Sequence, residues 1–184
     1  MATAVMLDLE TLGTRPDCAI MTLGAVKFDP YNIDSDPGPG IYLRMDIEEQ
    51  LALGRTVDDS TIEWWAEQDP RVRAEAWEDG DRSSIQDLKR ELNRFLVGVD
   101  DIWCQGPVFD IAILEDLYRS QSWGFPWYFW QIRDSRTLFK VHGDPRVKGR
   151  DQAHNALLDC VYQAEAIQLL YKKLKLHRTQ SSVP

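Results

Sequence analysis

The residues best suited to chemistry begin in Met6-Leu7-Asp8-Leu9-Glu10-Thr11, where two acids stand two positions apart in an otherwise apolar stretch. In a β-strand alternate side chains share a face, so Val5, Leu7 and Leu9 point one way while Asp8 and Glu10 point the other. Two like charges in a mostly buried strand repel and lose hydration unless a proton or a cation lies between them. A hard divalent ion with oxygen ligands relieves that conflict. Taken alone, the triplet also fits a strand end whose acids face water.

Three further positions complete the set. Asp110 follows a strand and a Gly106-Pro107 turn, where ligands of α/β sheets commonly lie. An acid there is also explained by the dipole of the helix it opens. His154 and Asp159 bracket the start of the last helix, in His154-Asn155-Ala156-Leu157-Leu158-Asp159. Asp159 lies a turn inside an apolar helix, where an unpaired acid is unexpected, whereas a histidine at a helix start is often only a hydrogen-bonded structural residue. Together Asp8, Glu10, Asp110 and Asp159 supply enough carboxylate oxygen for two cations roughly 3.5–4 Å apart. An all-oxygen set favours Mg²⁺ or Mn²⁺ over zinc. A neutral His154 is suited to accept a proton from water near pH 7. The chemistry implied is metal-assisted hydrolysis of a phosphodiester.

Positioning these groups requires a sheet. After the Asp8/Glu10 strand, Ile20–Phe28 and Ile41–Met45 read as strands, and the short connections predict an antiparallel meander. Ser60-Thr61-Ile62-Glu63 has capping-box form and predicts a helix start, with Asp69-Pro70 as its stop. A short helix is expected around Val72–Trp77, and another opening at Ser83 with Gln86, where Ile85, Leu88, Leu92, Phe95 and Leu96 recur at helical spacing. A fourth strand is predicted over Asp101–Gln105, a helix over Val108–Arg119, and a fifth strand over Gln131–Asp134. Further helices are predicted over Ser135–Val141 and Asn155–Leu174. The fold class is α/β, a mixed sheet with helices on its faces.

The chain has 184 residues and 43% hydrophobic content, enough for one domain with a full core. A single domain over residues 1–178 is expected, with a disordered tail over 179–184. The net charge of −9 argues against a protein that coats long nucleic acid, so any polyanion must be gripped locally. The short apolar start is interrupted by Asp8 and lacks a basic leader, which predicts neither a signal peptide nor a membrane span, and a cytoplasmic protein. Cys18, Cys104 and Cys160 fit neither a disulfide framework nor a zinc site and read as small core or surface residues.

Asp8-Leu9-Glu10-Thr11, Gly106-Pro107-Val108-Phe109-Asp110 and His154-Asn155-Ala156-Leu157-Leu158-Asp159 resemble, in that order, the three motifs of the DEDDh 3′–5′ exonucleases. The match covers nearly the whole chain. Thr61-Ile62-x-Trp64-Trp65 and Arg133-Asp134-x-Arg136-Thr137-Leu138 resemble accessory signatures of the compact phage and bacterial group within that family. Gln105 stands where an asparagine is common. The resemblance implies an RNase H-like fold with a five-stranded sheet. It implies two Mg²⁺ ions on Asp8, Glu10, Asp110 and Asp159, with His154 as general base. It also implies release of nucleoside 5′-monophosphates from single-stranded or 3′-overhang ends, DNA slightly favoured over RNA. Thr11, Leu12, Trp64, Trp65, Phe109, Arg136, Lys148 and Arg150 are the expected substrate-binding residues.

Trp64 and Trp65 are adjacent on a helix and diverge by about 100°, so one is core and the other is free to stack on a base. The Trp123–Trp130 aromatic loop fits a cleft lining, a core cover or a subunit contact, the last favoured, with a homodimer as the expectation. Between Arg133 and Arg150 six basic residues face two acids, which suggests phosphate contacts beside His154 rather than a merely solvated loop. Three alternatives stay open: an exoribonuclease in RNA processing, a non-catalytic module that binds nucleic-acid ends, and a haloacid-type phosphatase.

Overall fold

The computed structural model describes residues 4–78, 80–146 and 154–178. The apolar run at the start forms β1 (Ala4–Thr11), the spine of a mixed five-stranded sheet. β2 (Ile20–Phe28) pairs antiparallel with β1, and β3 (Gly40–Arg44) antiparallel with β2. On the other side β4 (Asp101–Cys104) and β5 (Ile132–Asp134) run parallel to β1, giving the order β3-β2-β1-β4-β5. The expected meander is therefore present, and the parallel strands follow through helical connections.

Alternation along β1 divides the sheet's two faces. Val5, Leu7 and Leu9 enter a core formed with α4 (Ile85–Phe95) and α5 (Asp110–Ser120). Ala4 and Met6 join a second core beneath α6 (Ser135–His142) and α7 (Ala156–Lys173). Asp8 and Glu10 continue this second face towards the end of the strand. The register sets Asp8 opposite Gly24 and Tyr42, and Glu10 opposite Thr22 and Arg44. Residues directly opposite share a face, so these form two rows of a single surface.

The local signals were displaced in several places. An unexpected helix, α1 (Ile47–Ala52), lies in the acidic stretch, where the Asp46 carboxylate accepts from the Glu49 N–H at its start. α2 spans Asp59–Ala66 with Asp58 as N-cap, so Ser60 lies inside the first turn and forms no capping box. Asp58 instead accepts from the Thr14 N–H at 3.2 Å, a tertiary bond that no local pattern encodes. Asp69-Pro70 starts the next helix, α3 (Pro70–Arg73), because proline suits a first helical position and Asp69 caps it. α3 runs into a π-helical turn over Ala74–Glu78. The capping box of α4 is Ser84 with Asp87, one residue beyond Ser83/Gln86.

Trp127 is buried in the first core and Phe125 stacks on it at 5.8 Å, so this part of the aromatic loop covers the core. Tyr128, Phe129 and Trp130 are exposed at its far end. All three cysteines are free and lie in the core rather than at the surface. Among the described residues no helix is long and apolar enough to cross a membrane. The expected tail at 179–184 lies outside the described residues.

Candidate active site

The sheet brings the acids together towards the carboxyl end of its middle strand. Asp8, Glu10 and Asp159 each offer a carboxylate oxygen within 4.8 Å of the other two. Asp8 and Glu10 come from β1, and Asp159 from the first turn of α7, which lies over β1 and β2. Asp110 arrives from the other direction. Gly106 takes φ +130, a conformation that side chains rarely adopt, and the tight turn there sets Asp110 at the head of α5. Asp110 Oδ1 then accepts from the Leu9 N–H at 3.2 Å, which ties it to the backbone between the two strand acids.

Electrostatics shows how unfavourable this set is by itself. Burial first, then Asp110, Glu10 and Asp159, hold the Asp8 carboxyl well above its ordinary value, and a 3.4 Å hydrogen bond from Gln163 Nε2 only partly offsets this. Burial, followed by Asp159, Asp110 and Glu75, pushes Glu10 up to about 8. Asp110 is pushed up to about 7 by burial, tempered by the Leu9 N–H and by Arg136. Asp159 is raised by burial, tempered by His154 and Arg146. Four carboxyls that resist ionisation together, with only oxygen to offer, fit hard divalent cations. Asp8, Glu10, Asp110 and Asp159 are the residues that would hold them.

His154 stands at φ +72, outside the usual range for a residue with a side chain. Its N–H donates to Asp159 Oδ2 at 3.0 Å, and its ring meets Trp64 edge to face at 4.8 Å. Trp64 is 40% exposed and Trp65 is 1% exposed, so the pair divides as expected. The Trp65 Nε1–H donates to the Thr11 carbonyl at 3.0 Å, and Leu12 packs beside Trp65 in a small third core. Thr11 and Leu12 are therefore turned inward, and Phe109 packs partly against the first core.

Arg136 is exposed and donates to the Gln105 carbonyl at 2.7 Å. The rest of the basic segment is more paired than its composition suggests. Arg133 forms an ion pair with Asp101 at 2.7 Å, and Arg146 one with Asp144 at 2.6 Å. Lys148 and Arg150 lie outside the described residues.

Sequence reasoning passed over three contributors. Gln163, buried at 3% exposure, donates to Asp8 and accepts from Ser135 Oγ at 3.4 Å. Its spacing four residues after Asp159 could have shown that it shares that helix face. Asn155 caps α7 by accepting from the Leu158 N–H at 3.0 Å, a role readable from its place before an apolar helix. Glu75 accepts from the Asn155 Nδ2 amide at 2.9 Å, and nothing in its neighbourhood along the chain signals this.

Residues 3–171 match a family model described as the 3′–5′ exoribonuclease Rv2179c-like domain. The chain belongs to this family of 3′–5′ exonucleases. An exodeoxyribonuclease of enterobacteria phage T4 is 31% identical, with 74% of this chain aligned to 70% of the phage protein. Among solved structures, a zinc-bound Escherichia coli ExoI complex with single-stranded DNA superimposes with a TM-score of 0.63 at 17% identity, covering 95% of this chain. The chain spans only 41% of that protein. The nuclease domain of 3′hExo bound to rAMP, described as a DEDDh family member, gives a TM-score of 0.59 at 11% identity, covering 97% of this chain and 96% of that one. These likenesses agree with the expected RNase H-like architecture.

Proposed function

We propose that the chain removes nucleotides one at a time from the 3′ end of single-stranded or 3′-overhang nucleic acid. In this reading DNA is slightly favoured over RNA, and nucleoside 5′-monophosphates are released. The observation that carries this is the convergence of Asp8, Glu10 and Asp159 within 4.8 Å, with Asp110 bonded between the strand acids and His154 bonded to Asp159. Asp8, Glu10, Asp110 and Asp159 would hold two Mg²⁺ ions, or Mn²⁺ in their place, which would supply Lewis acidity at the scissile phosphate.

The protein's own groups account for the remaining requirements. His154 takes the proton of the attacking water. Its ring is confined by Trp64, and its backbone is tied to Asp159. The free surface of Trp64 stacks on the terminal base, with Thr11, Leu12 and Trp65 forming the support behind it, and Phe109 contacts the substrate beside Asp110. Arg136, Lys148 and Arg150 contact the backbone phosphates of the incoming strand. The same reading makes residues 1–178 one cytoplasmic exonuclease domain and places exposed Tyr128, Phe129 and Trp130 at a homodimer contact.

The deciding experiment incubates 5′-labelled single-stranded and overhang DNA and RNA with Mg²⁺ and follows the product ladder. Shortening from the 3′ end that EDTA stops is expected, and products shortened from the 5′ end would refute the proposal. His154→Ala is expected to lower kcat roughly 10²- to 10⁴-fold, the usual range for a lost general base. Mg²⁺ affinity measured by calorimetry should stay near wild type. Trp64→Ala should raise KM about tenfold, in keeping with roughly 1–3 kcal/mol per stacked base. A KM that does not move would return Trp64 to a purely packing role.

A further inference from the structure

We infer that Glu75 is a positioning residue that fixes His154 through Asn155. This inference rests on the reading of His154 as the proton acceptor.

His154 needs external support. A histidine at positive φ is held there only when its surroundings outweigh the local preference. Its own N–H is tied to Asp159 and its ring leans on Trp64, but neither contact fixes the peptide that leads from His154 into α7. Asn155 does so from both sides. Its Oδ1 caps α7 at the Leu158 N–H, and its Nδ2 donates to Glu75 Oε2 at 2.9 Å.

Glu75 is well placed to serve as a fixed point. Tyr42 Oη donates to Oε2 at 2.9 Å, the Arg44 NH2 nitrogen donates to Oε1 at 2.9 Å, and Arg44 Nε donates to the Glu75 carbonyl at 2.7 Å. Tyr42 and Arg44 belong to β3 and share the Asp8 and Glu10 rows across the sheet. The anchor is thus referenced to the same sheet that carries the strand acids. Glu75 lies on the π-helical turn, a local irregularity often found at functional sites, and the turn carries it up to β3. Its charge also adds to the repulsion felt by Glu10. An acid that makes an already strained cluster worse needs a compensating role, and the strut to Asn155 supplies one.

The test combines kinetics with a measurement that needs neither metal nor turnover. The chain has three histidines, His142, His154 and His177, so the imidazole proton signals can be assigned with single variants. In the metal-free protein the His154 signals should be displaced by the Trp64 ring current. Glu75→Ala should move them towards the positions of a freely rotating imidazole. It should also lower kcat roughly 10- to 100-fold, with KM near wild type, because misplacing a reacting group acts on the chemical step. Asn155→Ser keeps a helix cap but removes the amide strut, and should reproduce both effects even if Glu75→Ala folds poorly. The double variant should be no slower than Glu75→Ala, since the two residues act in series. Additive losses, or unmoved His154 signals in an active enzyme, would overturn the inference alone. A wild-type protein without Mg²⁺-dependent turnover would overturn the reading beneath it.

Discussion

Replacing Asp8 by asparagine is expected to abolish turnover while raising the melting temperature of the metal-free protein. The two effects have the same origin. Burial and three neighbouring carboxylates all disfavour the charge of Asp8. Asparagine keeps the shape without an ionisable group, so the folded metal-free protein no longer has to hold there a proton that the unfolded chain has released. A chain of this size shifts by about 2–4 °C for each kcal/mol, so the melting temperature should rise by a few degrees. Catalysis moves the other way. Losing a ligand from a site that stabilises transition-state charge should lower kcat at least about 1,000-fold, on the order of 4 kcal/mol. Full activity in this variant would sink the assignment of the cluster.

The same argument fixes the pH dependence of the metal-free protein. Glu10 and Asp110 are raised in the folded state to about 8 and about 7, and Asp8 and Asp159 are raised as well. Between the ordinary carboxyl range and those values the folded chain holds protons that the unfolded chain has released. Their contribution to stability is therefore complete below about pH 4 and is lost progressively as the pH rises towards 8. Thermal melts in EDTA should fall across that window. Saturating Mg²⁺ should flatten the curve, because bound cations replace the protons. Asp8→Asn should flatten it in part without metal. A melting temperature in EDTA that does not change with pH would show that the carboxylates are not crowded as described.

Gly24→Ala is expected to damage both folding and catalysis, although Gly24 bears no functional group. It stands opposite Asp8 on β2, where α7 begins its passage over the sheet. A Cβ added there would lie 2.3 Å from the Ala156 carbonyl carbon and 2.4 Å from the Leu157 nitrogen. Both contacts are with backbone, so no side chain can rotate away, and the start of α7 must lift. Overpacking of this kind costs about 1–3 kcal/mol, which corresponds to several degrees in melting temperature. The lifted segment carries His154, Asn155 and Asp159, and a displacement near 1 Å at reacting groups is worth on the order of 100-fold in rate. Gly124→Ala is the control, since no atom lies within 4 Å of its added Cβ. The variant that melts lower yet keeps its kcat would show that the site tolerates movement of α7.

Much of this was legible in the chain. Alternation in β1 put Asp8 and Glu10 on one face, because the two-residue period of a strand is a covalent fact that no tertiary context alters. Helical periodicity placed α4 and α7 nearly to their ends, since each buries a continuous apolar face, and the Gly106-Pro107 break placed α5. Asp110, His154 and Asp159 were found from turns and helix starts, which are local signals. The cap of α2 lies two residues before Ser60, at Asp58, whose carboxylate is taken by the Thr14 N–H, and that of α4 lies one residue after Ser83, at Ser84. The basic run promised free charge, but Arg133 and Arg146 have acids to meet once the chain is folded.

Sequence by itself therefore determined which residue types are available and which of them share a face, because both follow from composition and backbone periodicity. Tertiary structure decided which groups meet. The alignment of Gly24 under α7 depends on strand register, and the strut from Glu75 to Asn155 joins positions 80 residues apart. Such contacts are set by packing of the whole domain rather than by any local preference. That is why the acids could be read from the chain, while the groups that hold His154 among them could not.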